Sequence, residues 1–200
     1  MDDKETLHFY LRQRRADLLG KLDGLGEYEV RRPMVRTGTN LLGLVKHVAS
    51  VELGYFTDVF GRPSGRELPW FADGAEPDAD FWATADETRA DVIELHHYSA
   101  ARSDATIEEL PLDAPGVVPW WTGERRNVTL QQILVHMGFE TARHAGHADI
   151  VRELIDGEAG MRPGDGNLTG RTPEEWDAYR ARLDDVARTA AEIAAAHAAE

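Results

Sequence analysis

The sequence contains no cysteine. That excludes disulfides, iron–sulfur clusters, thiolate zinc sites and a cysteine nucleophile. Any metal must be held by histidine and carboxylate, and a thiol needed for chemistry must arrive as a substrate or cofactor. Lysine is scarce, 3 residues against 19 arginines, and positive charge as a whole is short: 22 Lys and Arg face 36 Asp and Glu, a net charge of −14. A surface that reads nucleic-acid phosphates draws its affinity from clustered Lys and Arg, and binding to anionic lipid makes the same demand. Neither nucleic acid nor a membrane surface is therefore an expected partner. Long hydrophobic runs are missing as well. Stretches such as Leu41 to Val45 are far too short to span a bilayer, and the acidic start Met1-Asp2-Asp3-Lys4-Glu5 has no signal-peptide core. The expected location is the cytoplasm. No segment sustains the apolar–polar alternation of a strand.

What the chain does have is globular composition, 42% apolar and 29% charged over 200 residues, enough for one domain with a real core. Five segments carry helical periodicity. The first runs from about Asp2 to Asp23, with Leu7, Leu11, Leu18 and Leu22 on one stripe. The second runs from about Asn40 to Phe60, with Leu41, Leu44, Val48, Val51, Tyr55 and Val59 inward, a capping Thr39 or Asn40 and Gly61 past its end. The third is expected over about Ala79 to Arg102, burying Phe81, Ala85, Thr88, Val92, Leu95 and Ser99. A Pro- and Gly-rich segment, Leu110 to Asn127, carries the pair Trp120-Trp121, which argues for packing rather than disorder. The fourth helix starts at the capping box Thr129-x-x-Gln132 and runs to about Asp156, stopped by Gly157. The fifth starts at Thr172-Pro173-Glu174-Glu175, with Trp176, Tyr179, Leu183, Val186, Ala190 and Ile193 on one face. Such helices pack best as a bundle. The fold class is all-α: a four-helix bundle with long crossover loops and an additional C-terminal helix. The whole, residues 1–200, is read as one domain, with about 157–200 as a loop and helix packed on the bundle.

Two core stripes contain groups that do not belong in a core. In the fourth helix the inward stripe reads Leu130, Leu134, Met137, Thr141, His144, Ala148, Val151 and Ile155, and Glu140 lies one turn before His144 and faces nearly the same way. In the second helix His47 stands beside Leu44, Val48 and Val51. A carboxylate at a core edge is costly unless something positive meets it. Glu140 and His144 at i, i+4 can hold one ion from one helix face, with His47 as a third ligand, and three protein ligands leave a position open for water or substrate, the catalytic pattern. The bland reading is an i, i+4 ion pair worth a few tenths of a kcal/mol and a hydrogen-bonded core histidine. His136 is eight residues from His144, about 12 Å along the axis and too distant to share its ion; it faces solvent or a neighbouring helix. His147 is open as a substitute ligand, an outer-sphere base or a surface residue, the rival set being His144 with His147 at i, i+3 and Glu140 as an outer acceptor. His96-His97 reads as structural, and His8 and His197 are expected to be exposed. Tyr55, Phe56, Trp120 and Trp121 are candidate pocket walls or ordinary packing aromatics; Arg125 and Arg126 are candidates to meet an anionic substrate or are simply solvated. No catalytic acid or base is assigned.

The run Thr37-Gly38-Thr39-Asn40-Leu41-Leu42-Gly43-Leu44-Val45-Lys46-His47 with Val51-Glu52-Leu53-Gly54-Tyr55-Phe56 forms one half of a wider pattern. Trp120-Trp121, Leu134-Val135-His136-Met137 and Glu140-Thr141-Ala142-Arg143-His144-Ala145-Gly146-His147-Ala148-Asp149-Ile150 form the other. In this order the motifs resemble the DinB-like family, in an actinobacterial branch of mostly uncharacterised members, which the arginine-rich coding bias also suits. The resemblance covers the chain from the first helix through Gly157. It implies a bundle with a divalent metal between helices. Many relatives use three histidines; this chain has Glu140 in the middle position, which is similar to the mycothiol-dependent maleylpyruvate isomerases, where a His, Glu, His set binds zinc. It also has His147 where many relatives carry Gln.

The resemblance implies metal ligands His47, Glu140 and His144, zinc or else nickel as the ion, and mycothiol as co-substrate, ahead of bacillithiol or glutathione. The implied activity is an S-transferase or thiol-dependent isomerase: a metal lowers the thiol pKa, and the thiolate attacks a small electrophile. Two other classes stand beside it. One is a metal-dependent hydrolase with hydroxide in the open position; the other is a non-enzymatic metal-binding stress-response protein. A twofold homodimer is the expected assembly.

Overall fold

Reciprocal caps start most of the long helices in this computed structural model, which describes residues 1–162, 164 and 167–198. Helix α1 (Asp3–Gly20) begins where Asp2 accepts from the Glu5 amide and Glu5 reaches back to the Asp2 amide. The short α2 spans Glu27–Arg31. Asn40 caps α3 (Leu41–Phe56) through the Gly43 amide, and Gly61, left-handed at φ 65°, closes the turn that follows it. Helices α4 (Arg89–Glu109) and α5 (Leu130–Asp156) start on the boxes Thr88–Asp91 and Thr129–Gln132. Gly157, at φ 82°, ends α5.

Two apolar clusters set the directions of the helices. One joins Leu11, Tyr55, Phe56, Ile107, Leu134 and Met137. The other joins Leu18, Leu22, Val45, Val48, Val92, Ala145 and Ala148. Chain order therefore runs from the first cluster to the second in α1 and α5, and the opposite way in α3 and α4. The bundle is up–down–down–up, and the parallel pair α3 and α4 requires the crossover 57–88 to travel its length. Helix α1 packs on α5, and α3 packs on both α4 and α5. Between the clusters lies a polar layer: Arg15 meets Glu52 at 2.8 Å and Asp104 at 2.5 Å, all but sealed from water at Arg15 and Glu52. Ser99 and Thr141 stand at the same level, fully buried.

The all-α expectation holds, with four local corrections. Helix α4 begins ten residues later than the periodicity suggests. Thr84 and Glu87 bond each other's amides in a turn that mimics a cap, and only Thr88 nucleates the helix; Ala79–Phe81 is one 3-10 turn. The segment after α4 contains two three-residue strands, β1 (Pro115–Val117) and β2 (Asn127–Thr129), paired antiparallel with Gly116 opposite Val128. Pairs this short leave no alternation to read. The short helix α2, five residues long, carries too little sequence for a helical period to show. His8, expected at the surface, is buried and bonded to Asp104 at 2.7 Å.

Residues 1–164 and 165–200 form two compact units. The second holds α6 (Pro173–His197), capped by Thr172 and Glu175. Within it the Arg171 guanidinium lies over the rings of Trp176 and Tyr179, at 4.5 and 4.4 Å. No described helix is long and apolar enough to cross a membrane.

Candidate metal centre

His47 enters the site because α3 is apolar nearly all round and buried nearly all round, so even its histidine is 8% exposed. Glu140 and His144 project from consecutive turns of α5 onto the same point. His47 Nε2 lies 3.3 Å from Glu140 Oε1, and His144 Nε2 lies 3.1 Å from that same oxygen. The two imidazoles meet edge to face at 4.8 Å. All three ligand-type atoms fall within 4.8 Å of one another.

The crossover supplies the outer layer. His47 Nδ1 donates to Asp80 Oδ2 at 2.6 Å, and the Phe81 ring stacks on the imidazole at 3.9 Å. Lys46 pins this stretch. Its ammonium donates to the carbonyls of Ala79 and Trp82 and to Glu87, and it sits 4.0 Å above the Trp70 ring. Gly43 makes room for it: a Cβ there would fall 1.8 Å from the Phe81 carbonyl oxygen.

The lone pairs decide what fits between these groups. With its Nδ1 proton given to Asp80, His47 presents a bare Nε2 to a carboxylate oxygen 3.3 Å away. Two acceptors at that distance repel unless a proton or cation lies between them. Ligands about 2.0–2.1 Å from a tetrahedral zinc stand about 3.3 Å from each other, close to the spacings here. An N, O, N set of imidazole and carboxylate suits a borderline divalent cation. The residues present therefore fit a divalent metal. Burial raises the Glu140 pKa, but His47 and His144 outweigh it and hold the carboxyl below its usual range. Burial and His47 lower the His144 pKa. Both shifts favour the ligating protonation states.

The other candidates fall as follows. His147 is exposed, with its ring 5.3 Å edge-on to His144. His136 is half-buried against Tyr55 and Trp121, and burial lowers its pKa. Trp120 donates its indole N–H to the Tyr55 hydroxyl at 3.3 Å, and both line a cavity against the second half of α3 that begins one helical turn past His47, at Ser50 and Val51. Trp121 packs behind them, with its ring 6.0 Å from that of Tyr55. Phe56 is fully buried in the core and does not line that cavity. Arg125 and Arg126 are exposed. His96 is buried, and among the described residues neither of its ring nitrogens has a hydrogen-bond partner. Sequence reasoning missed Asp80, Phe81 and Lys46. Asp80 is one acid among Asp73, Glu76 and Asp78 in an irregular stretch, and nothing local distinguishes it.

A helical bundle with this His, Glu, His cluster matches a family model described as mycothiol S-transferase, over residues 6–157. The chain belongs to the mycothiol S-transferase family. The match spans the bundle and all three ligand-type residues. Among solved structures, a conserved protein from Enterococcus faecalis is similar, with a TM-score of 0.55 at 16% identity over 79% of this chain and 99% of that one. That likeness establishes the bundle fold. No curated protein matches the sequence. The mycothiol S-transferase match also gives the absence of cysteine a meaning, since the family's name assigns the thiol to a partner molecule.

Proposed function

We propose that the protein is a divalent-metal-dependent S-transferase that joins mycothiol to a small electrophile. The observation that carries this reading is the convergence of His47, Glu140 and His144 on one point in a cysteine-free member of the family. A divalent cation, zinc ahead of nickel, would be held by those three residues and would lower the pKa of an incoming thiol. Asp80 holds the His47 ring with Nε2 inward. Phe81 and the buried α3–α5 seam keep water from one side of the site. His147, exposed and 5.3 Å edge-on to His144, would take the thiol proton and pass it to solvent. The sulfur lone pair then forms the C–S bond while the electrophile's leaving group departs with its bonding pair. With a conjugated acceptor, the pair moves to the carbonyl oxygen instead, and carbon takes a proton. The reading places the protein in the cytoplasm, with its thiol.

The test is direct. Protein purified without a chelating column is loaded with zinc and mixed with mycothiol and a panel of aryl halides, epoxides and enones. Thioether should appear by mass spectrometry with zinc-loaded protein and not with the Glu140→Gln variant. Hydrolysis of ester or amide probes without thioether formation would overturn the reading in favour of a hydrolase. Failure to take up zinc or nickel at all would remove its basis.

The same reading takes the protein to be a twofold dimer. The exposed apolar side chains Phe9, Tyr10, Val135 and Phe139 on the adjoining helices α1 and α5 support it. Light scattering showing a monomer at working concentration would end that part.

A further inference from the structure

A cavity of about 980 Å³ opens between the second half of α3, the 64–72 stretch of the crossover and Trp120. Its floor continues the face of α3 that carries His47. Val51 and Gly54 follow His47 at four- and three-residue spacing on that face, Asp58 stands in the 3-10 turn just past the helix end, and all three line the space. Gly54 keeps the cavity open, since a Cβ there would meet the Trp120 ring at 3.3 Å. The volume is that of a site for a drug-sized ligand. The walls, with Leu68, Phe71 and Trp120, are mainly apolar.

The charges in the cavity are unbalanced. Asp58 and Glu67 both line it, and among the described residues no ion pair engages either. The one cationic side chain that lines it, Arg66, is already committed: it bonds Glu94 at 2.5 Å and lies 4.4 Å over the Tyr98 ring. Although Asp58 is largely open to solvent, the cover on its cavity side pushes its carboxyl up, against a Thr57 hydrogen bond. Arg125 and Arg126 do not line the cavity.

We propose that this cavity binds the acceptor, and that the acceptor is an elongated, apolar aromatic electrophile with an amine or other hydrogen-bond donor at the end remote from its reacting carbon. The assignment to the acceptor rests on the S-transferase reading above. The reacting carbon lies at the His47 end. Seven residues of helical rise, roughly 10 Å, separate it from the level of Gly54, and Asp58 lies beyond that, past the helix end. Acidic acceptors are disfavoured because two uncompensated carboxylates repel them. The hydroxyl-rich sugar part of the thiol is also a poor match for apolar walls, and it stays outside.

The experiment measures binding alone, with three inert probes of one shape: biphenyl-4-methylamine, biphenyl-4-methanol and biphenyl-4-carboxylate, titrated calorimetrically into the full-length protein. The amine should bind about 10-fold more tightly than the carboxylate, with the alcohol between them. Asp58→Asn should remove most of that preference and leave the alcohol unchanged. Gly54→Leu should weaken all three about 10-fold or more. Asp58 is exposed, so its variant tests the proposal even if Gly54→Leu fails to fold. Equal affinities, a carboxylate that binds best, no binding of any probe, or a preference that survives in Asp58→Asn would each overturn the proposal. So would displacement of the amine by glucosaminyl-inositol, the hydroxyl-rich sugar part of the thiol, which carries no SH. No thiol turnover enters the measurement. Binding without transferase activity would sink the S-transferase reading alone, and activity without this binding pattern would sink the cavity proposal alone.

Discussion

The His47 imidazole is held by Asp80 through a 2.6 Å hydrogen bond at Nδ1, which commits its Nε2 lone pair to the point where Glu140 and His144 meet. Carboxylate partners of this kind fix a ligand's tautomer and ring angle, and their loss typically costs about 10–100-fold in metal affinity. Asp80→Asn should therefore weaken zinc binding by about 10-fold or more in a competitive chelator titration while leaving the helical content intact. An unchanged affinity would show that the Asp80 contact does not serve the metal.

Gly43 bears on the same contact from the other side. In a helix interior, Gly→Ala ordinarily stabilises by about 0.5–1 kcal/mol. Here the added Cβ would run into the Phe81 carbonyl, and backbone must move to relieve it. Gly43→Ala should instead lower stability by about 1–3 kcal/mol in urea unfolding, with zinc affinity falling alongside. Stabilisation would mean that the crossover shifts freely.

Glu140 and His147 compete for one role. Zinc at about 100 times its Kd should raise stability by about 2.7 kcal/mol, read as a rise in Tm. Glu140→Gln removes the anionic ligand and should abolish that rise. His147→Gln should keep the rise and retain zinc affinity within about 10-fold, because outer-sphere changes weaken a site without erasing it. The reverse pattern would assign the third ligand to His147.

His96 makes the bundle sensitive to acid. Burial, followed by the charges of Arg15 and His97, depresses its pKa to about 4, against about 6.5 in the unfolded chain. The unfolded state binds the proton first, so this contribution is present above pH 6.5 and is lost as pH falls towards 4. About 2 kcal/mol should go between pH 7 and pH 5, and about 3 kcal/mol by pH 4. Urea denaturation of His96→Leu should show a decline over that range smaller by this amount. A parallel decline in both proteins would remove His96 as the cause.

The sequence by itself determined the helix starts at the reciprocal caps Thr129–Gln132 and Thr172–Glu175, though not the one at Thr88–Asp91, and the stripe on α5 that brings Glu140 and His144 together. Those signals are local: capping bonds span three residues, and i, i+4 neighbours share a face wherever the helix lies. Periodicity also turned His47 inward. It had no means of placing that ring level with His144, because relative height along a bundle is set by the packing of two apolar clusters drawn from α1, α3, α4 and α5 together. Tertiary structure decided the rest. The crossover lays Asp80 and Phe81 over His47 because Gly43 lets the backbone approach and Lys46 ties the carbonyls down, contacts more than thirty residues apart in the chain. It also took His8 from the expected surface to Asp104, since a polar side chain is buried when a distant partner compensates its desolvation, and no property of residues 5–11 names a partner on α4.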